Sequence, residues 1–271
     1  MTRVIRTPGE EGPRAGIHRE DGTVDVLDHD DPLAALRGHG RVTRNVAIES
    51  VTLLPPIEAP EIWCAGVTYE RSRDARLDEA ENAARDVYAL VYDADRPELF
   101  MKDAAMRRTV GPGAEIRARR DARWTVPEPE LGVVIGENGE AAALTIGNDV
   151  TSRDIEGANP LYLPQAKIYA GSCAIGPALV ASDDWEAART IRLLIRDSQG
   201  RELFDGETST ARMRRTPRDL LSWLVRDNPV PPGSVLLTGT GLVPPDTYTL
   251  SPGHLVDVTI EGIGTLTNTV A

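Results

Sequence analysis

Two apolar runs, Leu131-Gly132-Val133-Val134-Ile135-Gly136 and Ala141 to Ile146, follow each other closely and carry carboxylates at their outer ends. Glu128 and Glu130 precede the first run in Pro127-Glu128-Pro129-Glu130, and Asp149 follows the second in Gly147-Asn148-Asp149-Val150. The pattern reads as a β-hairpin. In an extended strand residues i and i+2 share a face. Glu128 and Glu130 therefore aim at one point, and the returning strand can bring Asp149 beside them. Three carboxylates with no His or Cys nearby in sequence suit a hard divalent cation such as Mg2+, with Mn2+ as the other candidate. The same spacing also suits a solvated strand face, and Asn-Asp is a common turn pair.

The rest of the composition narrows the function classes. A chain of 271 residues with 41% hydrophobic content has room for one large domain, or for a large domain with a small companion. Its net charge of -12 disfavours nucleic acid and anionic membranes as partners. No Gly-rich loop opens a helix after a strand, so nothing points to ATP or NAD. The N-terminus lacks a signal-peptide apolar region, and no apolar run approaches membrane-spanning length. Cys64 and Cys173 each lie in an apolar stretch, and no Cys-x-x-Cys occurs. Reduced, buried thiols in a cytoplasmic protein are the expectation. Three of the four histidines, His18, His29 and His39, lie in the N-terminal part, and the fourth is His254. The acid and base of an enzyme built on the carboxylates would then be Glu, Lys, Tyr or metal-bound water.

Along the chain, residues 1–57 are polar with short strand-like pieces at Arg3–Ile5, Thr23–Leu27 and Val46–Leu53, and read as a small β-rich domain. Leu54 to Pro60 reads as a linker, and residues 58–271 as the main domain. Ile62–Val67 is expected as a strand. Glu70 to Asp93 is expected as a helix, with Leu77, Ala80, Ala84, Val87, Tyr88 and Val91 at helical spacing. Further strands are expected at Leu99–Lys102, Ile175–Val180, Ile191–Asp197, Val235–Thr238 and Leu255–Ile260. A second helix should start at Thr216-Pro217-Arg218-Asp219, with Thr216 as N-cap and Pro217 at the first helical position. Many short strands with Gly/Pro turns predict a mostly β (α+β) core, as a sandwich, roll or barrel.

The motifs Pro97-Glu98-Leu99-Phe100-Met101-Lys102, Gly111-Pro112-Gly113, Glu128-Pro129-Glu130-Leu131, Asn148-Asp149-Val150-Thr151-Ser152-Arg153-Asp154, Lys167, Gly176-Pro177, Thr238-Gly239-Thr240 and Glu261-Gly262-Ile263-Gly264 stand in an order that resembles the fumarylacetoacetate hydrolase superfamily. The resemblance covers roughly residues 60–271. It implies a mixed β-sandwich roll with a small N-terminal domain, and Mg2+ held by Glu128, Glu130 and Asp149. Within that superfamily, Asn159 to Gly171, Thr68-Tyr69-Glu70, Arg96-Pro97-Glu98 and Arg226-Asp227-Asn228-Pro229 are similar to the 2-keto-3-deoxy-pentonate dehydratase branch. That branch implies dehydration of a D-arabinonate- or D-xylonate-derived 2-keto acid to 2,5-dioxopentanoate in non-phosphorylative pentose catabolism. Acylpyruvate hydrolysis and oxaloacetate decarboxylation are the alternatives on the same scaffold, and a non-catalytic member is a third. Hydrolase and decarboxylase members carry a His shortly after the first-strand Tyr. The run Tyr69-Glu70-Arg71-Ser72-Arg73-Asp74 has none, which favours chemistry without an attacking water.

The resemblance makes Lys167 the first candidate for proton transfer or enolate stabilisation, although a structural pairing with Asp149 or Glu130 also fits its position. Glu98 and Glu70 are the other catalytic candidates; each also suits a solvated or helix-terminal carboxylate. Tyr69, Gly239, Thr240 and Gln165 are the substrate-binding candidates. Glycine in Thr238-Gly239-Thr240-Gly241 lets backbone N–H and the Thr hydroxyl approach a carboxylate. Arg153 and Asp154 are candidates for orienting the metal ligands. The expected partner is a small-molecule 2-keto acid, and relatives imply a homodimer or homotetramer.

Overall fold

The computed structural model describes residues 2–70, 90–181 and 184–271. The expected helix over 70–93 falls largely outside the described residues; Glu70 and residues 90–93 have helical backbone. The strands, in chain order, are β1 (Arg3–Thr7), β2 (Arg14–His18), β3 (Thr23–Leu27), β4 (Val42–Ala47), β5 (Glu61–Gly66), β6 (Glu98–Ala104), β7 (Thr109–Val110), β8 (Glu115–Ile116) and β9 (Thr125–Val126). They continue as β10 (Pro129–Ile135), β11 (Ala141–Asp149), β12 (Thr151–Ser152), β13 (Cys173–Val180), β14 (Thr190–Arg196), β15 (Glu202–Ser209), β16 (Val235–Leu237), β17 (Leu255–Ile260) and β18 (Gly264–Val270).

Among the described residues, two large sheets organise the chain. An 11-stranded sheet runs β4-β3-β2-β1-β13-β11-β10-β16-β5-β6, with β7 beside β13, and a five-stranded sheet runs β15-β14-β17-β18-β8. This is the mostly β sandwich roll that the sequence predicts. The hairpin of β10 and β11 sits in the middle of the large sheet, with Glu130 opposite Gly147 and Leu131 opposite Ile146. Both faces of β10 are buried, so its sequence is a continuous apolar run and not an alternating one.

Parity along the hairpin decides what each side chain meets. Leu131, Val133, Leu144 and Ile146 pack with Ile191, Leu193 and Val258 of the five-stranded sheet. Val134 and Ala143 point the other way, into a second core with Cys64, Ile175 and Leu237. Glu128 and Glu130 share the parity of Val134, and Asp149 shares that of Ala143. The carboxylates therefore lie on the side of the large sheet away from the sandwich interface, at one end of the second core.

The N-terminal strands continue the large sheet, because β1 pairs antiparallel with β13. Arg6, only 3% exposed, donates to Asp30 and Glu58 at 2.6 and 3.0 Å and ties this unit to the Leu54–Pro60 stretch. That stretch is packed and not loose: Leu54 bridges to Arg6, and Ile57 and Ala59 are buried. The expected strand Val46–Leu53 ends at Ala47, where a 3-10 turn Ile48–Ser50 begins. The helix α1 (Pro32–Leu36) lies in this unit. Two short helices follow β12, α2 (Arg153–Ala158) and α3 (Leu163–Lys167). The predicted C-terminal helix is α4 (Pro217–Leu224); Thr216 Oγ1 accepts from Asp219 N at 3.2 Å, as an N-cap should. Cys64 and Cys173 are free and buried, and burial pushes both thiols up, Cys173 to about 12. Among the described residues, no helix is long and apolar enough to cross a membrane.

Candidate metal centre and active site

The hairpin end gathers Glu128, Glu130 and Asp149, all within 2% exposure, with one oxygen of each within 4.8 Å of the others. The backbone sets this up. Asp149 N donates to Glu128 O at 2.9 Å, and Asn148 Oδ1 accepts from Glu128 N at 3.1 Å. Gly239 N donates to Glu130 Oε2 at 2.6 Å. Glycine is required there, since φ is +90° and a Cβ would lie 2.0 Å from Thr68 Oγ1. The N–H of Gly239, a substrate-binding candidate, is thus directed at the Glu130 carboxylate.

Three cations face the three carboxylates. Lys167, at the end of α3, donates to Glu128 Oε2 and Asp149 Oδ2 at 2.7 Å each and to Thr151 Oγ1 at 2.6 Å. Lys102 of β6 is fully buried, forms an ion pair with Asp149 and donates to Val150 O at 3.0 Å. Burial would pull the Lys102 ammonium down, yet the Asp149 carboxylate holds it above the ordinary lysine value. Arg153, at the start of α2, donates to Glu128 Oε1 through Nε at 3.1 Å and Nη2 at 2.8 Å. Of the two orienting candidates, Arg153 therefore touches a carboxylate of the set, while Asp154 turns away to accept from Arg123 N at 2.8 Å.

Glu130 is the exception in this balance. Burial, followed by the charges of Asp149 and Glu128, raises its carboxyl well above the ordinary range, against smaller relief from Lys167 and the Gly239 N–H. An anionic oxygen set buried with this imbalance fits a divalent cation, and its all-oxygen character fits Mg2+.

The remaining candidates are spread, and of them Thr240 borders the space in front of the carboxylates. Glu98, Phe100 and Lys102 alternate on one face of β6. A Cβ on Gly66 would fall 1.9 Å from Glu98 Oε2, so the Glu98 carboxylate lies directly over that glycine. Lys167 Nζ sits 5.7 Å from the centre of the Phe100 ring. Gly66, Val67, Phe100 and Thr240 border the space in front of the ligands. Val67 takes φ 52°, a strained conformation for a β-branched residue, and turns the chain into Thr68 and Tyr69. The Thr240 hydroxyl closes a local turn with Leu242. Tyr69 and Glu70 line another cavity, with Thr208, Arg212 and Gly241. Gln165 is exposed, and its carbonyl accepts from Arg119 at 3.0 Å.

Lys102 is the residue that the sequence analysis left without a role. Its signal was the i, i+2, i+4 alternation with Glu98 and Phe100, which places three chemically distinct side chains on one strand face.

Comparison with known proteins agrees with this geometry. Residues 61–271 match the family model for the fumarylacetoacetate (FAA) hydrolase C-terminal domain. The chain is 50% identical over 216 residues to a probable 2-keto-3-deoxyxylonate dehydratase of Haloferax volcanii, covering 79% of this chain and 73% of that one. It is 40% identical over 266 residues to the 2-dehydro-3-deoxy-D-arabinonate dehydratase of Saccharolobus solfataricus, covering 91% and 89%. A solved 2-keto-3-deoxy-D-arabinonate dehydratase, complexed with magnesium and 2,5-dioxopentanoate, superposes with a TM-score of 0.87 at 36% identity, covering 99% of this chain and 98% of that one.

Proposed function

The chain belongs to the fumarylacetoacetate hydrolase family, and from that premise we propose that it is a Mg2+-dependent hydro-lyase converting a 2-keto-3-deoxy-pentonate to 2,5-dioxopentanoate. The observation that carries this reading is the buried Glu128–Glu130–Asp149 set with Lys167 in contact with two of its members, in a chain that is 50% and 40% identical to two relatives, the first named as a probable pentonate dehydratase and the second as a pentonate dehydratase. Glu128, Glu130 and Asp149 would hold the ion, which supplies Lewis-acid polarisation of the 2-keto group.

The residues then have three protons to manage. The C3 proton, acidified by the neighbouring ketone, leaves to a base; Glu98, lying over Gly66 at the edge of the site, is the candidate. The C4 hydroxyl leaves as water with a proton from an acid, and Lys167 is the candidate. The resulting C3–C4 alkene loses a proton from C5 and gains one at C3, and the C5 enol then tautomerises to the aldehyde. The net change is loss of one water, and no step needs a water nucleophile. This agrees with the absence of His from residues 69–74.

The family match beginning at residue 61 supports treating residues 1–57 as a separate N-terminal unit and 58–271 as the catalytic domain. Free, buried thiols support a cytoplasmic site of action. The exposed pair Leu161 and Tyr162, at 84% and 44%, supports assembly into a homodimer or homotetramer. Purified protein given Mg2+ and racemic 2-keto-3-deoxy-pentonate should form an aldehyde detectable by coupled oxidation, and chelator should abolish it. Turnover of acylpyruvates or oxaloacetate in place of the pentonate would move the chain to a sister activity.

A further inference from the structure

Lys102 is a cation of the metal centre to which the proposed reaction gives no task. Lys167 and Arg153 border the space in front of the ligands, together with Phe100, whereas Lys102 does not. Lys102 stands two residues beyond Phe100 on the same face of β6 and is 0% exposed. It forms an ion pair with Asp149 Oδ1 and donates to Val150 O at 3.0 Å. Any influence it has on reacting atoms therefore passes through the Asp149 carboxylate.

The three ligands are not equally neutralised. Asp149 carries an ammonium on each oxygen, Lys102 on Oδ1 and Lys167 on Oδ2. Glu128 has Arg153 on Oε1 and Lys167 on Oε2. Glu130 has the backbone N–H of Gly239. The fold gains little from Lys102, because desolvation offsets most of the attraction in a buried ion pair, and an apolar side chain of similar volume often serves as well. What a fully buried ammonium does supply is a positive charge that water hardly screens. An ammonium on a carboxylate draws on the same lone-pair electrons that a metal ion uses. The carboxylate then binds the ion less tightly, and the ion keeps more of its charge for its other ligands.

We propose that Lys102 is a positioning residue of an electrostatic kind. Acting through Asp149, it weakens the hold of the carboxylates on Mg2+ and so strengthens the attraction of the loaded site for an anionic keto acid, most of all for its enolate. This rests on the reading of the site as a Mg2+-dependent keto-acid centre.

Three variants separate charge from packing. Lys102→Met removes the charge and the donor at nearly constant length, Lys102→Gln removes the charge and keeps a donor, and Lys102→Arg keeps the charge. Mg2+ binding is measured by calorimetry without substrate. The Mg2+-loaded proteins are then titrated with oxalate, a dianion that resembles the enolate of a 2-keto acid, and with pyruvate, a monoanion with a neutral ketone. The Met and Gln variants should bind Mg2+ about tenfold more tightly than the wild type, oxalate about tenfold more weakly and pyruvate about threefold more weakly. Lys102→Arg should stay within about threefold of the wild type for every ligand. If the uncharged variants fold only with the ion present, their Tm against Mg2+ concentration gives the same affinity. Weaker Mg2+ binding in the Met and Gln variants, or equal losses for oxalate and pyruvate, would overturn the proposal and leave Lys102 a structural partner of Asp149. None of these measurements needs turnover. A chain that shows the expected shifts yet dehydrates no pentonate would therefore keep this assignment and lose the dehydratase reading.

Discussion

The carboxylate site and the outer face of the five-stranded sheet use the same chemistry, acids paired with bases, under opposite conditions. On the sheet, Arg192 meets Asp205 through two bonds of 2.7 and 2.6 Å, with side chains 50% and 33% exposed. At the site, Lys102, Lys167 and Arg153 meet Glu128 and Asp149 with every side chain at 3% exposure or less. Exposed pairs gain little, because water screens the attraction and ordering two long side chains costs entropy. Buried pairs are strongly coupled, yet desolvation offsets what the coupling gains. The site is therefore a poor device for stability and a good one for holding charge where a cation and an anionic substrate meet. The two cores on either side of the hairpin supply the burial that makes it tolerable.

Removing charges from the two regions should separate these roles. The largest effect is expected at Lys167: Lys167→Ala should lower kcat by about 10²- to 10⁴-fold, measured as aldehyde formation with saturating Mg2+. A loss confined to KM would assign Lys167 to binding alone. Next comes Lys102. Lys102→Ala strands Asp149 and should destabilise the protein by about 3–5 kcal/mol in urea unfolding. Adding Asp149→Asn should return part of that loss, as a double-mutant cycle would register. On the sheet, Arg192→Ala should change stability by about 0.5 kcal/mol or less and leave turnover at the wild-type value. A loss above 2 kcal/mol there would erase the contrast between the regions.

The smallest effect is a pH dependence at the start of β17 in the same sheet. His254 Nδ1 accepts from Ser251 N at 3.3 Å and lies 3.0 Å from the Tyr248 hydroxyl. Burial lowers its pKa below the ordinary 6.5, so the fold prefers the neutral ring. Its contribution to stability is complete above that ordinary value and is lost as the pH falls through the lowered one. The difference in Tm between pH 7.5 and pH 5.5 should therefore be slightly smaller in His254→Gln than in the wild type.

Much of the site was legible before the structure because it depends on alternation. Glu128, Glu130 and the apolar runs after them state both a hairpin and the face on which the acids lie. The cap Thr216-Pro217 likewise announced α4, since a hydroxyl followed by proline is a local signal. Val46–Leu53 misled because its β-branched residues favour a strand, while the pairing that would extend it beyond Ala47 is absent from the register with β3. Lys102 carried the same alternation as Glu98, but nothing local says that a lysine on a strand will be fully buried. Its burial comes from β6 closing the far edge of the large sheet, opposite the chain segment that carries Asp149.

What this sequence determined by itself is therefore the set of faces: which residues of each strand lie together, where the acids stand relative to the apolar runs, and where the C-terminal helix begins. Periodicity and capping are properties of neighbours along the chain, so they survive in the bare text. Only the tertiary structure decided the distances. Lys102, Lys167 and Gly239 reach the carboxylates from three separate segments, and Tyr69 and Thr208 share a cavity wall across 139 positions of sequence. Those meetings depend on how the sheet curls and on which strands pair, and no local signal encodes either.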